Sequence, residues 1–130
     1  MSARILVVDD DECFRELMYL YLSNAGYEVL LAEDAVVAGH LLLNGHVDLV
    51  VVDIEMPYMD GLDLVRALRS DPSVSPLPVV FVTSRPELAG AATQLGATYL
   101  RKPLRAEELL ASVAHCLRPT GAAAAPSAAR

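Results

Sequence analysis

The chain has 130 residues, 54% of them apolar, with 17 acidic and 10 basic side chains and a formal net charge of −7. That length fits one domain able to bury roughly two-thirds of its unfolded surface, and the apolar content excludes disorder of the whole chain. The acidic balance argues against DNA or RNA binding by this segment, because affinity for a phosphate backbone needs clustered Lys and Arg.

Taken in order, the elements alternate in type. The run Ile5 to Val8 is continuously apolar, and Arg4 to Val8 reads as a buried strand. It ends in four consecutive acids, Asp9, Asp10, Asp11 and Glu12, and no wholly apolar stretch exceeds about five residues, so neither a signal peptide nor a membrane span is expected and the location is predicted to be cytoplasmic. A helix is predicted from Glu12 to Asn24, with Phe14, Leu17, Met18, Tyr21 and Leu22 on one stripe and Ala25-Gly26 as its stop. A second strand covers Glu28 to Ala32, and Asp34 caps a second helix through Leu43, stopped by Asn44-Gly45. The third strand is Leu49 to Asp53. Asp60 caps a third helix from Leu62 to about Arg69, and the proline-rich segment Asp71 to Pro78 is a loop. A fourth strand, Val79 to Thr83, leads to a fourth helix that starts near Pro86 and ends at Gly96. The fifth strand is Thr98 to Leu100 and the fifth helix runs from Ala106 to about Leu117.

Five strand and helix units in alternation predict an α/β domain with a parallel sheet over residues 1–118. Residues 119–130, rich in Ala and Pro, have nothing to bury and read as a disordered tail or the start of a linker. Cys13 and Cys116 lack metal-ligand spacing and are read as reduced, small packing residues. His40, His46 and His115 share no motif and are read as surface or boundary residues.

The polar residues that end these strands carry the chemistry. In an open parallel sheet, ligands bind outside the carboxyl ends of the strands, so Asp9 and Asp10, Asp53, Thr83 and Lys102 can meet although they are distant in sequence. Carboxylates, a hydroxyl and an ammonium group together suit magnesium-dependent phosphoryl transfer. Each also has a plainer reading: Asp53 and Thr83 as strand-terminal residues, and Asp9 to Glu12 as negative charge at a helix N-terminus worth about 0.3 to 1 kcal/mol.

The run Ile5-Leu-Val-Val-Asp9-Asp10, the segment Val51-Val-Asp-Ile-Glu-Met-Pro-Tyr-Met-Asp-Gly61, the strand ending at Thr83 and the pair Lys102-Pro103, in that order, closely resemble the receiver domain of two-component response regulators, from about Arg4 to Leu117. The resemblance implies a flavodoxin-like (βα)5 three-layer sandwich with strand order 2-1-3-4-5. It implies that Asp53 accepts a phosphoryl group from a sensor histidine kinase or a histidine phosphotransfer protein. Mg²⁺ would be held by Asp9, Asp10, Asp53 and the backbone carbonyl of Glu55. Lys102, rather than Arg101, would bind the phosphate, with a cis peptide before Pro103. Thr83 and Tyr99 would form the switch that alters the face of the fourth helix, fifth strand and fifth helix, regulating a partner or attached output domain and leaving a homodimer open.

The interval from Thr83 to Gly96 looks about two residues shorter than in common receivers, which shortens or displaces the fourth helix and with it part of the usual output face. Glu55 and Arg85 flank the acceptor at positions that in receivers influence how fast the phosphoryl group is lost; an ion pair between them could shield it, and equally both could be solvated. A magnesium-dependent phosphatase is opposed by the missing Asp-x-Asp arrangement and cap insertion, and a flavodoxin by the missing phosphate loop after the first strand. A phosphorylation-independent interaction module on the same fold remains the alternative. No turnover of external substrates is expected.

Overall fold

The computed structural model describes residues 2–56, 59–72 and 76–118. The predicted disordered segment 119–130 lies outside the described residues, as do positions 73–75 of the predicted loop.

Among the described residues five strands, β1 (Arg4–Val8), β2 (Glu28–Ala32), β3 (Leu49–Asp53), β4 (Val79–Thr83) and β5 (Thr98–Arg101), alternate with five α-helices, α1 (Glu12–Asn24), α2 (Ala35–Asn44), α3 (Gly61–Ser70), α4 (Ala89–Gln94) and α5 (Ala106–Cys116). All four strand pairs are parallel, in the order β2-β1-β3-β4-β5 expected from the resemblance.

Strand alternation divides the core into two layers. Leu6 and Val8 of β1, Val50 and Val52 of β3 and Val79 and Phe81 of β4 point to one face, where they pack with Ala38 of α2, Leu62, Leu64 and Val65 of α3 and Ala92 of α4. Ile5 and Val7, Leu49 and Val51, and Val80 and Val82 point to the other, against Met18 and Leu22 of α1 and Leu109 and Val113 of α5. Burial on both faces is why β1, β3 and β4 read as unbroken aliphatic runs rather than as alternating ones.

Local chemistry sets the helix ends. Asp11 accepts hydrogen bonds from the amides of Cys13 and Phe14, Asp34 from Val37, and Asp60 from Asp63, each satisfying an otherwise unpartnered first-turn amide. Gly26, just past α1, and Gly96, past α4, hold φ of 96° and 71°, a region L side chains rarely adopt.

Four expectations need adjustment. The fourth helical segment starts near Pro86, as read, but its first turn, Pro86–Leu88, is 3-10 and the α-helix that follows has only six residues. Proline suits the first turn of either helix type, so its presence marks a start without choosing the winding. The fifth strand continues one residue further, to Arg101, through its pairing with Thr83. Cys13 is exposed rather than packed, and only Cys116 is partly buried, beside the Thr98 hydroxyl at 3.4 Å. Leu17 is 38% exposed, at the margin of the α1 stripe, because Phe14, Met18 and Leu22 take the centre of the buried face. The three histidines are exposed, as expected.

Candidate functional site

The chain leaves β1 toward β2 on one side and β3 toward β4 on the other, so the carboxyl ends of β1 and β3 border a crevice at the point where the direction of winding reverses. Asp9 follows the last residue of β1, Asp53 is the last of β3, Thr83 the last of β4, and Lys102 follows the last of β5. The parallel register aligns these ends: Val8 pairs with Val52, Asp53 with Val82, and Thr83 with Arg101. The candidate residues are thereby gathered at one edge of the sheet.

Lys102 sits at the centre. Its Nζ lies 3.1 Å from Asp9 Oδ2 and 3.5 Å from Asp53 Oδ2, and 4.1 Å from the centroid of the Phe14 ring. The ring supplies a second, weaker attraction for the ammonium group. Arg101, the rival basic residue, is exposed. The Lys102–Pro103 peptide is cis.

Each buried carboxylate is also tied to its own loop. Asp9 accepts the Asp11 amide at 2.9 Å, and Asp53 accepts the Glu55 amide at 3.3 Å. Arg15, one turn into α1, donates to the backbone carbonyl of Asp9 at 2.7 Å and so braces the turn that carries the acidic pair. Gly61 starts α3 against the same strand end: its amide donates to Ile54 at 2.7 Å, and a Cβ there would overlap the carbonyl oxygen of Asp53.

Asp9 is fully buried, Asp53 is 6% exposed, and Asp10 is open to solvent. Burial pushes the Asp53 carboxyl up to about 6, with the charge of Asp9 adding to the rise, against a smaller opposing pull from Lys102 and the Glu55 amide. Burial likewise raises Asp9, despite the Asp11 amide and Lys102. One ammonium shared between two desolvated carboxylates does not offset the cost of charging both.

Carboxylate oxygens of Asp9, Asp10 and Asp53 lie within 4.8 Å of one another. All three donors are hard oxygens, two are largely removed from water, and burial together with the charge of Asp9 has already shifted Asp53. This donor set fits a small divalent cation such as Mg²⁺, which takes few protein carboxylates and completes its shell with water.

Thr83 is fully buried, and its backbone carbonyl accepts the Lys102 amide at 2.9 Å. Its hydroxyl donates to Glu55 Oε1 at 3.4 Å and accepts the Arg85 amide at 3.1 Å. Arg85 in turn reaches Glu55 Oε2 at 3.6 Å and Glu87 at 2.8 Å, and Ser84 approaches Glu55 Oε1 at 3.5 Å. The Glu87 contact dominates, raising Arg85 and lowering Glu87. Of the two readings left open for Glu55 and Arg85, the ion pair is the one present, but it is the longer of Arg85's two, in an exposed setting where such pairs stabilise little.

Tyr99 pairs with Phe81 across β4 and β5, and its ring packs into the layer formed by α2, α3 and α4. Its hydroxyl is buried with no hydrogen-bond partner among the described residues.

Of the residues the sequence assigns to one crevice, the side chains of Asp9, Asp10, Asp53 and Lys102 come together, whereas the Thr83 hydroxyl is bonded to Glu55. Sequence reasoning read Phe14 only as a core residue and passed over Arg15. A basic residue one turn after a run of four acids is the signal that could have drawn attention to Arg15.

The family model for the response regulator receiver domain matches residues 5–114. Among curated relatives, response regulator MprA from Mycobacterium sp. (strain KMS) is 44% identical over 123 residues, covering 92% of this chain and 53% of that protein. Response regulator MprA from Mycobacterium bovis (strain BCG / Pasteur 1173P2) is 42% identical over the same length and shares. The chain thus spans about half the length of the curated relatives it matches. Among solved structures, the Vibrio cholerae chemotaxis protein CheY4 superimposes with a TM-score of 0.83 at 32% identity, covering 90% of this chain and 100% of that one. The receiver domain of the Francisella response regulator 1452 gives 0.82 at 27% identity, covering 89% and 97%. On the strand order, the acidic crevice at the β1 and β3 ends and a match that runs from Ile5 to Ala114, the chain belongs to the response regulator receiver domain family.

Proposed function

We propose that the chain is the phosphoacceptor switch of a two-component phosphorelay, with Asp53 as the acceptor. The observation that carries this reading is Lys102 Nζ standing 3.1 Å from Asp9 and 3.5 Å from Asp53, where three strands end. An oxygen of Asp53 attacks the phosphorus of a phosphohistidine on a histidine kinase or a histidine phosphotransfer protein. The new P–O bond makes an acyl phosphate as the P–N bond breaks, and the imidazole leaves with its electron pair.

Asp9, Asp10, Asp53 and the backbone carbonyl of Glu55 would hold Mg²⁺, which when bound supplies charge neutralisation for the phosphoryl oxygens. Lys102 holds a phosphoryl oxygen through its ammonium group. At an effective dielectric near 20, a pair about 4 Å apart is worth roughly 4 kcal/mol. Thr83 exchanges its hydrogen bond to Glu55 for one to the phosphoryl group, and this exchange is coupled to Tyr99 and the face built from α4, β5 and α5. The domain accordingly catalyses its own phosphorylation and dephosphorylation rather than turnover of an external substrate.

Residues 1–118 form the switch and 119–130 the tail or linker start. Among the described residues no helix is long and apolar enough to cross a membrane. A cytoplasmic location, a regulated output partner or domain, and an absence of direct nucleic-acid contact by this segment follow from the same reading, the last from the net charge of −7.

The test is an acid-quenched time course of intact mass with Mg²⁺ and acetyl phosphate, wild type beside Asp53→Asn. A single phosphoryl adduct on wild type alone supports the reading. No adduct at any time on a folded, Mg²⁺-binding chain refutes it and leaves the phosphorylation-independent interaction module.

A further inference from the structure

The first turn of α1 sends two consecutive side chains to the crevice. Arg15 donates to the Asp9 carbonyl at 2.7 Å, and the Lys102 ammonium stands over the Phe14 ring, 4.1 Å from its centroid. The helix cap fixes both positions: the Asp11 carboxylate accepts the Phe14 amide at 3.3 Å, and its backbone carbonyl accepts the Arg15 amide at 3.0 Å. Phe14 is half-buried and packs against the core layer that contains Met18 and Leu109.

Packing alone does not call for an aromatic residue there, since a leucine also presents an apolar side chain to that layer. What an aliphatic side chain lacks is the negative face of an aromatic ring. An ammonium within about 6 Å of a ring centroid is attracted by that face, and more strongly where water is excluded. The Lys102 side chain is only 22% exposed, and it is the one lysine of the chain. Its long, flexible stem would otherwise let the strongly hydrated head turn toward solvent.

Lys102 Nζ has three partners: Asp9 Oδ2 at 3.1 Å, Asp53 Oδ2 at 3.5 Å and the ring. Only the ring is neutral. Asp9 and Asp53 are also two of the three carboxylates that fit Mg²⁺, so in the loaded site their charge is shared with the cation, which itself repels the ammonium. Phe14 has no charge to share, and its hold on Lys102 survives loading.

We propose that Phe14 is a positioning residue for phosphoryl transfer, its ring keeping the Lys102 ammonium beside Asp53 when the carboxylates turn to Mg²⁺. The proposal rests on the reading of Asp53 as phosphoacceptor. It adds that the hold on the incoming phosphoryl oxygen depends on the ring of a residue that touches neither the metal nor the phosphoryl group.

The first test needs no phosphodonor. Isotopic labelling of lysine isolates Lys102 in NMR spectra of the full chain, and its ε-methylene protons should stand upfield of their unfolded position through the ring current of Phe14. That shift should persist when Mg²⁺ is added and disappear in Phe14→Leu. A shift absent in wild type, lost on adding Mg²⁺ or retained in Phe14→Leu would overturn the proposal. The second test is the rate of acetyl phosphate labelling at saturating Mg²⁺, read by acid-quenched intact mass. Phe14→Leu should label about 3- to 10-fold more slowly, whereas Phe14→Tyr and Phe14→Trp, which keep a ring, should stay near wild type. Ring-fluorinated phenylalanines at position 14 preserve the shape of the side chain and withdraw electrons from its face, so each added fluorine should slow labelling further even if Phe14→Leu folds poorly. A rate indifferent to fluorination would overturn the positioning role alone. Failure of wild type to label would refute the phosphoacceptor reading and this role with it.

Discussion

Replacing Asp53 with Asn should stabilise the Mg²⁺-free protein at neutral pH although it deletes the proposed phosphoacceptor. The Asp53 carboxyl stands near 6 in the folded chain against a reference value of 3.8, chiefly because it is buried and faces Asp9. An acid whose folded value is raised binds more protons when folded than when unfolded, so its contribution is complete below about pH 4 and is lost as pH rises through about 6. The gap corresponds to roughly 3 kcal/mol at pH 7.5, since each pH unit is worth about 1.36 kcal/mol. Asn keeps an oxygen for the Glu55 amide, which now approaches Asp53 at 3.3 Å, and carries no charge to desolvate.

Urea denaturation in EDTA at pH 7.5 and pH 4 measures this directly. With slopes of about 1 to 3 kcal/mol per molar, the Asn variant should unfold at about 1 M higher urea or more at pH 7.5, and the two midpoints should nearly converge at pH 4. Adding Mg²⁺ at pH 7.5 should narrow the gap from the wild-type side, because a cation that binds the folded, ionised cluster stabilises it by mass action. A variant no more stable than wild type at pH 7.5, or a gap that does not shrink with acid, would show that burial and Asp9 do not control the ionisation of Asp53.

Tyr99→Phe removes a buried hydroxyl with no partner among the described residues, so it should leave stability unchanged or raise it by about 1 kcal/mol, read from thermal or urea unfolding; a loss above about 1 kcal/mol would reveal a bond the hydroxyl makes in solution. Gly61→Ala drives a methyl group into the Asp53 carbonyl and should cost about 1 to 3 kcal/mol while slowing acetyl phosphate labelling, whereas Gly39→Ala, with open space at its Cβ, should stabilise by up to about 1 kcal/mol.

The parts of this fold legible in the sequence are those that one residue type decides locally. β1, β3 and β4 keep the bounds read from their aliphatic runs because burial on both faces removes any alternation that could confuse them. Asp34 and Asp60 mark helix starts because a short acceptor at that position satisfies a free amide whatever the rest of the chain does. The 3-10 turn at Pro86 and the exposure of Cys13 and Leu17 escaped because they depend on how helix faces are rotated by tertiary packing, which helical spacing fixes only to within about a residue. The site divides in the same way. Strand-end placement brought Asp9, Asp53, Thr83 and Lys102 together, whereas the bond from Thr83 to Glu55 and the inward ring of Tyr99 are choices of rotamer that no spacing records.

The same electrostatics that make the crevice costly to fold suit it to its proposed chemistry. Lys102 cannot neutralise Asp9 and Asp53 together, and Asp10 at the rim adds further negative charge, so the apo site favours either protonation of Asp53 or capture of a cation. At pH 7 the first is mostly lost, because Asp53 sits near 6, and the second becomes the stabilising outcome. A carboxylate held ionised by a neighbouring cation is also the form that can attack phosphorus. Thr83 stands outside this balance, fully buried with its hydroxyl bonded to Glu55, so on the proposed reading its contribution begins only when an acceptor stronger than an exposed, shared glutamate appears on Asp53. The order of events on this reading is set by charge: the cation first, the phosphoryl group second, and the threonine hydroxyl last.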